Sequence, residues 1–302
     1  MSQQEKLPLI KEIHSIQAHN ETINQISIFP SGNLISVSYD CTIKIWDKNL
    51  NILQKINQEI VILCVSIKDN NNFVICTNEI QIWSKNNVND TLFKLKEKIT
   101  KIQNGFTNFI LYCSNDDLIG ISCHFWVTVY SKVKNKNIHQ SKITLIQNSV
   151  DSLLLLEKDN ILIICGRQGL YFWNSKIWEQ KKYLHNVKCI GNNSLYKLNN
   201  DIILCGGINE MKIISISQMK IIQKIKNQFL YLGICSLNNK NIILCVGESK
   251  DIIIYKNNDD YKFLGKIVNA NNQNIRGIFT INNDLICTYS NDKIIKIFKI
   301  IS

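Results

Sequence analysis

The chain lacks the residues that make long flexible linkers, since only 2 of its 302 residues are Pro and 12 are Gly. It also has no run near the ~18 apolar residues that a membrane-spanning helix needs. Its longest apolar stretches, such as Leu153–Leu156, have the length of a strand. The first residues, MSQQEKLPLIKEIHS, show no apolar core of a secretory signal. We therefore expect one folded domain over residues 1–302. We expect it to be cytoplasmic, with nuclear or cytoskeletal association open, and not secreted.

The sequence also lacks the short motifs of common enzyme families. It contains no G-x-x-x-x-G-K-[ST], no G-x-G-x-x-G, no H-E-x-x-H and no G-x-S-x-G. Among the 5 His, no pair has metal-ligand spacing; these residues are His14, His19, His124, His139 and His185. The sequence thus predicts a protein that is not an enzyme, with no catalytic residue, no cofactor and no metal.

Cysteine is present but is not arranged as a metal or redox motif. The 11 Cys are an odd number, and no two are spaced C-x-x-C. We expect free thiols in a reducing compartment. Four of them recur at one strand position and are expected to be buried small apolar side chains; they are Cys76, Cys205, Cys245 and Cys287.

The net charge of +11 leaves two interpretations open. Lys-rich stretches can bind RNA or anionic lipid, or they can be solvated faces of strands and loops. The stretches are Lys94–Lys98, a basic loop at Ser131–Lys142 and Glu179–Tyr183. Proteins that bind single-stranded nucleic acid usually stack bases on aromatic side chains. Such residues are sparse here, although Trp178 and Tyr183 flank one cluster.

What the chain has in abundance is short β-type runs, and one of them recurs seven times. It is an apolar strand that ends in a small residue. The copies are Asn33–Ser38, Asn72–Thr77, Asp117–Ser122, Asn160–Gly166, Asp201–Gly207, Asn241–Gly247 and Asp284–Ser290.

A strand of alternating polar and apolar residues follows each copy, with the period of two that marks a half-buried strand. In successive copies, the position that Trp46 occupies in the first recurs at steps of 37, 47, 43, 42, 40 and 43 residues. The positions are Trp46, Trp83, Tyr130, Trp173, Ser215, Tyr255 and Phe298. Repeats of about 40–45 residues are typical of four-stranded propeller blades. A further strand phrase ending in Lys-Ile or similar occurs at Leu9–Ile13, Ile52–Ile56, Ile221–Ile225 and Phe263–Ile267, and predicts outer strands.

The stretch Ala18–Asp47 carries the clearest copy of the repeat. It has Ala18-His19 at its start, SVSYDCTIKIWD in its second half and Trp46-Asp47 at its end. These residues resemble the WD40-repeat β-propeller family, in which Gly-His and Trp-Asp stand at those two places. The other six repeats lack the Trp-Asp pair and resemble the family only in period and strand pattern.

The resemblance implies an all-β fold, a seven-bladed β-propeller of four-stranded antiparallel blades. Residues 8–16 would form the outer strand of the last blade and close the ring, which removes exposed edges. The predicted blades cover residues 17–57, 58–98, 99–142, 143–184, 185–226, 227–267 and 268–300. Six blades are the alternative, if the unit at Lys98–Lys142 is irregular.

The resemblance also implies a polar network in the first repeat. His19 would bond to Asp40, and Ser36 or Ser38 with the indole N–H of Trp46 would complete the network. Around the central channel, the turns that enter the inner strands and those between the second and third strands would share one face. We expect this face to bind protein or peptide partners, through Thr22, Asn24, Tyr39, Asn193, Glu248, Asn274, Arg276 and Asn291.

Arg276 is the strongest single candidate on this face, because Arg is enriched at hot spots and can bind carboxylate or phosphate with both nitrogens. The cluster Cys123–Trp126 either adds aromatic contacts to the face or fills an irregular blade.

The predicted function is a non-catalytic scaffold for protein–protein interaction, as a subunit of a larger hetero-complex. The alternative is a basic propeller that binds RNA or anionic lipid through its Lys clusters.

Overall fold

The computed structural model describes residues 8–301 except 87–89, 101–106, 113–117, 123–125, 133–137, 145–149, 167, 190, 192 and 259. In these residues, the regular elements are β-strands and two short 3-10 helices, η1 (Glu157–Asp159) and η2 (Asn238–Lys240). No helix of this part of the chain is long and apolar enough to cross a membrane. The strands form four-stranded antiparallel sheets, the blades of an all-β β-propeller.

The chain divides into two compact units, and unit 2 (Glu21–Asn186) contains four of the sheets. Sheet 1 consists of β2 (Ile23–Ile28), β3 (Leu34–Ser38), β4 (Thr42–Trp46) and β5 (Ile52–Asn57). Sheet 2 consists of β6 (Cys64–Asp69), β7 (Asn72–Cys76), β8 (Glu79–Ser84) and β9 (Lys94–Thr100). Sheet 3 consists of β10 (Thr107–Tyr112), β11 (Leu118–Ser122), β12 (Trp126–Lys132) and β13 (Ile138–Thr144). Sheet 4 consists of β14 (Val150–Leu156), β15 (Ile161–Gly166), β16 (Gly169–Asn174) and β17 (Glu179–His185).

Unit 1 (Met1–Asn20 and Val187–Ser302) contains the other three sheets. Sheet 5 consists of β18 (Leu195–Lys197), β19 (Ile202–Gly206), β20 (Ile208–Ser215) and β21 (Lys220–Leu230). Sheet 6 consists of β22 (Gly233–Leu237), β23 (Ile242–Val246), β24 (Ile252–Lys256) and β25 (Phe263–Ile267). Sheet 7 consists of β26 (Ile275–Thr280), β27 (Leu285–Ser290), β28 (Ile294–Ile301) and, beside β28, β1 (Leu9–Gln17).

Burial along the strands explains their sequence pattern. In sheet 1 every residue of β3 is buried, whereas β5 is half-buried and exposed in turn. The second strands are therefore mainly apolar, as strands covered on both faces are, with small polar residues such as Ser36 among them. The outer strands alternate Lys or Gln with Ile, because one face contacts the neighbouring sheet and the other meets water.

Neighbouring sheets within a unit pack face to face through apolar clusters. In unit 2, Phe29 and Ile43 of the sheet 1 region join Phe73 and Trp83 of sheet 2 in one buried cluster. The rings of Phe73 and Trp83 stack with their centroids 6.1 Å apart. A second cluster links sheets 3 and 4, and in unit 1 further clusters link sheet 5 to sheet 6 and sheet 6 to sheet 7. Burial of Ile, Val and Phe between sheets is thus the main stabilising contribution.

The N-terminal strand β1 pairs antiparallel with β28, near the other end of the chain, from Leu9 with Ile301 to Gln17 with Ile294. An ion pair between the buried Lys296 and the exposed Glu12 joins the two strands. Lys296 Nζ lies 2.7 Å from Glu12 Oε2 and also donates to the backbone oxygen of Ala270 at 3.1 Å. Residues that the sequence predicts as an outer strand therefore complete sheet 7.

The structure confirms the predicted strand types: each repeated apolar run is a second strand, each alternating run is a third strand, and the Lys-Ile phrases lie in outer strands. Some strands pass the predicted blade limits, as β21 does by ending at Leu230 rather than 226. One expectation is wrong: the basic stretch Ser131–Lys142 is not a loop throughout, because its ends belong to β12 and β13. The arrangement of all sheets as one closed, seven-bladed ring stays a prediction.

Candidate partner-binding surfaces

The first repeat contains a fully buried polar pair. The indole N–H of Trp46 donates to Ser36 Oγ at 2.9 Å, and both side chains have 0% exposure. Of the two serines considered for this contact, Ser36 is the one that makes it. Lys44, beside Asp40 on the same sheet, lies over the indole ring at 5.7 Å, and burial lowers the pKa of Lys44. The pair ties the second strand of sheet 1 to its third.

Ser38 and Asp40 organise the turn between β3 and β4. Ser38 Oγ donates to the backbone oxygen of Glu21 at 3.1 Å and accepts the backbone N–H of Asp40 at 3.0 Å. The carboxylate of Asp40 accepts the backbone N–H of Thr42 at 3.0 Å and its hydroxyl at 2.7 Å. His19 is buried, with 2% exposure, and belongs to unit 1. The bond from His19 to Asp40 stays a prediction.

The same tryptophan position has different partners in sheets 2 and 4. In the register of the second and third strands, Leu34 stands opposite Trp46. Phe73 stands opposite Trp83 in the same way, and Leu162 stands opposite Trp173. The residue in the Ser36 position is then Ile75 in sheet 2 and Ile164 in sheet 4. Trp83 donates instead to Gln81 Oε1 at 3.2 Å, and the buried Nε1 of Trp173 has no hydrogen-bond partner among the described residues. Because Ile164 stands where sheet 1 has Ser36, the indole of Trp173 has no hydrogen bond equivalent to the one between Trp46 and Ser36.

Three of the predicted partner-binding residues belong to unit 2. Tyr39 has 48% exposure at the turn between β3 and β4, and its backbone N–H donates to the oxygen of Thr22 at 3.0 Å. Asn24 is half-buried, and its side-chain nitrogen donates to the backbone oxygen of Ile62 at 2.7 Å. Asn24 therefore ties sheet 1 to the segment before sheet 2, which leaves Tyr39 as the most accessible of the three.

The other five residues belong to unit 1 and form what we call the unit 1 surface: Asn193, Glu248, Asn274, Arg276 and Asn291. Backbone hydrogen bonds connect the turns that carry them. Asn291 N donates to Asn274 O at 3.1 Å, and Ile275 N donates to Ser249 O at 2.9 Å. The turns of sheets 6 and 7 therefore come together, with Glu248, Arg276 and Asn291 exposed.

Asn193 lies beside these turns through the inner strands. It forms a bridge with Gly233, and its backbone oxygen accepts the N–H of Ile234 at 3.1 Å. A Cβ on Gly233 would lie 3.3 Å from the Cα of Gly277, the residue after Arg276. The side-chain nitrogen of Asn193 is buried, and its amide lies near enough to the phenol of Tyr289 to lower the pKa of that group through a side-chain hydrogen bond.

Arg276 is held on a rigid strand. The ring of Tyr289 covers Gly277, where any Cβ would overlap with it, and stacks on Phe279 at 6.1 Å between centroids. Burial raises the pKa of Tyr289 to about 12, because the phenolate is disfavoured, and the positive charge of Arg276 opposes that rise. The guanidinium thus projects from a strand whose backbone position is fixed by packing.

Asp251 stabilises the turn between β23 and β24, which carries Glu248. Burial alone would raise the pKa of Asp251, but hydrogen bonds from Lys266 (2.8 Å) and from the backbone of Asn269 (2.9 Å) outweigh it and lower the pKa below its usual value. The backbone N–H of Asp251 also approaches Ser249 Oγ at 3.3 Å. This carboxylate is therefore part of the support of the unit 1 surface rather than of its exposed face.

The comparison with known families agrees with the geometry of sheet 1. Residues 10–47, which include Ser36, Asp40 and Trp46, match the model of the WD domain, G-beta repeat, called WD40. Residues 10–47 are thus similar to one WD40 repeat. The resemblance predicted from the sequence is thereby confirmed for its first repeat, and WD40 propellers are typically scaffolds without catalytic activity. No curated protein matches the chain.

The Lys-rich stretches of the chain lie largely on outer strands. Lys94–Lys98 is in β9 and Glu179–Tyr183 is in β17, with their lysines exposed. The flanking aromatics, Trp178 and Tyr183, are packed against the buried cluster between sheets 3 and 4. They are therefore poorly placed to stack on bases. Of the cluster Cys123–Trp126, the first three residues lie outside the described part, and Trp126 begins β12.

The sequence reasoning missed one site next to the WD40 repeat. The segment from β5 to β6 and the turn between β7 and β8 line a cavity of about 410 Å³ in unit 2 that is open to solvent on one side. These are the same two kinds of turn that carry the predicted residues of sheets 1, 5, 6 and 7. The sequence feature that could have indicated this site is the run of polar residues in these two turns, Gln58-Glu59 and Thr77-Asn78-Glu79.

Proposed function

We propose that the chain is a non-catalytic scaffold that binds a protein partner through the unit 1 surface, as a subunit of a hetero-complex. The observation that supports this most is that the exposed guanidinium of Arg276 and the side-chain amide of Asn193 both act on the phenol of Tyr289 and therefore lie close together. Both groups donate hydrogen bonds. A carboxylate or a backbone carbonyl of a partner is the acceptor that fits them.

The WD40 repeat supports the same proposal, since WD40 propellers generally mediate protein–protein interaction. Asn274 and Asn291 add side-chain amides that can bond to a peptide backbone, and Glu248 adds one acceptor. Thr22, Asn24 and Tyr39 belong to unit 2 and would contribute partner contacts there, with Tyr39 as an exposed aromatic contact. Aromatic and Arg side chains supply most of the binding free energy at many interfaces.

We also propose that the sheets form one closed, seven-bladed ring, with sheet 7 completed by β1. Support comes from the pairing of β1 with β28 and from the face-to-face clusters between neighbouring sheets in each unit. A compact chain of this length has a radius of gyration of about 19 Å. Small-angle scattering should give that value. A clearly larger one would show two units that do not close into a ring.

Quantitative affinity purification tests the scaffold proposal. The variant Tyr39→Ala/Arg276→Ala/Asn291→Ala should lose at least one partner that the wild-type chain retains at stoichiometric amounts. Circular dichroism must show that the fold is intact, because these side chains are exposed and little buried area is lost.

A matched control uses residues of similar type on the outer strand β21. The variant Ile222→Ala/Lys224→Ala/Gln228→Ala also replaces an apolar or aromatic side chain, a cation and an amide, all exposed. It should retain every partner. If both variants keep all partners, the unit 1 surface is not the binding site.

A further inference from the structure

The cavity in unit 2 is lined almost wholly by polar side chains from sheets 1 and 2. Its volume is about 410 Å³, which is large enough for a side chain with its backbone. The residues on which the argument rests are Gln58, Glu59, Ile60, Asn78, Glu79 and Gln81. They come from the segment after β5, from the turn between β7 and β8 and from β8 itself.

The floor of the cavity is a fixed amide pair. Gln81 has 5% exposure, accepts the indole N–H of Trp83 at 3.2 Å and donates to Gln58 Oε1 at 3.1 Å. These two bonds fix which end of the Gln81 amide faces Gln58. The N–H groups of Gln58 then remain to bond with an occupant. A buried amide held in this way is a preorganised recognition element.

The turn at one wall is also rigid. Thr77 Oγ1 accepts the backbone N–H of Glu79 at 3.1 Å and lies 3.1 Å from Asn78 Oδ1. Thr77 N donates to the backbone oxygen of Glu79 at 2.8 Å. The carboxylate of Glu79 is therefore presented from a tight, hydrogen-bonded turn.

The charge of the lining is negative on a chain whose net charge is +11. Two carboxylates, Glu59 and Glu79, face one cation, Lys98. Lys98 Nζ lies 3.6 Å from Glu79 Oε2, with the side chain of Lys98 54% exposed. An exposed pair of this kind is weak, so an incoming cation can take its place. Ile60, at 42% exposure, offers an apolar surface to the methylene groups of a long side chain.

We infer that this cavity binds a Lys or Arg side chain of a protein partner, together with the backbone carbonyl of the same residue. The ammonium or guanidinium contacts the carboxylates of Glu59 and Glu79, the stem lies on Ile60, and the carbonyl accepts from Gln58. The inference rests on the proposed function, because it takes the partner to be a protein. It does not require the unit 1 surface.

The indole N–H of Trp83 provides the reporter. The chain has 5 Trp and thus five indole resonances in a nitrogen–proton correlation spectrum, and Trp83→Phe assigns the one that bonds to Gln81. The probes are N-acetyl-arginine methylamide, N-acetyl-lysine methylamide and the neutral N-acetyl-norleucine methylamide. The two cationic probes should shift the Trp83 resonance saturably, with dissociation constants on the order of millimolar.

Three further outcomes decide the inference. Glu59→Gln and Glu79→Gln should each weaken the cationic probes about fivefold to tenfold, whereas Glu179→Gln, the same change on the exposed face of β17, should have no effect. The inference fails if norleucine shifts the resonance equally, or if no probe does. Binding of n-butylammonium as tight as that of the lysine probe would refute the peptide assignment.

The same titration separates this inference from the proposed function. The variant Arg276→Ala should leave the Trp83 shift unchanged, because Arg276 belongs to unit 1. If Glu79→Gln abolishes the Trp83 shift but the variant still retains every partner, the cavity binds the probe and is not used in docking. If the variant Tyr39→Ala/Arg276→Ala/Asn291→Ala loses partners and no probe binds the cavity, only the cavity inference is refuted.

Discussion

Replacing Ser36 with Ala tests the polar lock of the first repeat. The substitution removes one hydroxyl from a site with 0% exposure and deletes the 2.9 Å bond to the indole N–H of Trp46. The loss of an acceptor for a buried donor costs about 1–3 kcal/mol. The side chain loses only one atom, so the cavity term is small.

A double-mutant cycle isolates the bond itself. Ser36→Ala, Trp46→Phe and the double variant are compared by urea denaturation followed by far-UV circular dichroism, using midpoints at equal slope. Both single variants lose the same bond, so the double variant should cost about 1 kcal/mol less than the sum of the two. A coupling below about 0.5 kcal/mol would refute the lock.

The chain contains a natural control for this cycle. The indole nitrogen of Trp173 in sheet 4 has no hydrogen-bond partner among the described residues, because Ile164 takes the serine position. Trp173→Phe removes ring contacts but no hydrogen bond. It should cost at least about 1 kcal/mol less than Trp46→Phe. Equal costs would show that the bond to Ser36 does not stabilise sheet 1.

Three further predictions concern buried groups. Cys245 is buried and burial raises its pKa well above the usual value, so iodoacetamide at pH 8 should label the half-buried Cys41 first, as peptide mass spectrometry can show; equal rates would contradict its burial. The pKa of Asp251 is lower in the folded state, so its contribution to stability is complete above the unfolded pKa of about 4 and is lost as the pH falls through the folded pKa. Asp251→Asn should flatten that part of the stability–pH curve, and an unchanged curve would refute the assignment. A Cβ at Gly247 would overlap with the backbone oxygen of Leu230, so Gly247→Ala should lower the urea midpoint, and an unchanged midpoint would contradict the close approach.

The strands and their order within a sheet could be predicted from the sequence for a physical reason. Second strands are buried on both faces and read as apolar runs, and outer strands meet water on one face and alternate. The cysteines of the second strands, such as Cys76 and Cys287, are buried for the same reason, as expected. The pairing of β1 with β28 agrees with the prediction that residues 8–16 form the outer strand of the last blade.

Side-chain contacts between repeats could not be predicted in the same way. The tie from Asn24 to Ile62 and the amide pair of Gln58 and Gln81 join sheets 1 and 2 across long stretches of sequence. Such contacts leave no periodic signal. For the same reason the sequence could not indicate that the amide of Asn24, a predicted partner-binding residue, also bonds within the fold.

The central claim is that a protein partner binds at Arg276. Its most direct test is isothermal titration calorimetry with the partner that the affinity purification recovers, against the wild-type chain, Arg276→Ala and the outer-strand control Lys224→Ala. Arg276→Ala should weaken binding about tenfold or more, as expected for an Arg at an interface hot spot, and Lys224→Ala should leave the dissociation constant unchanged. Equal affinity for all three chains would contradict the claim.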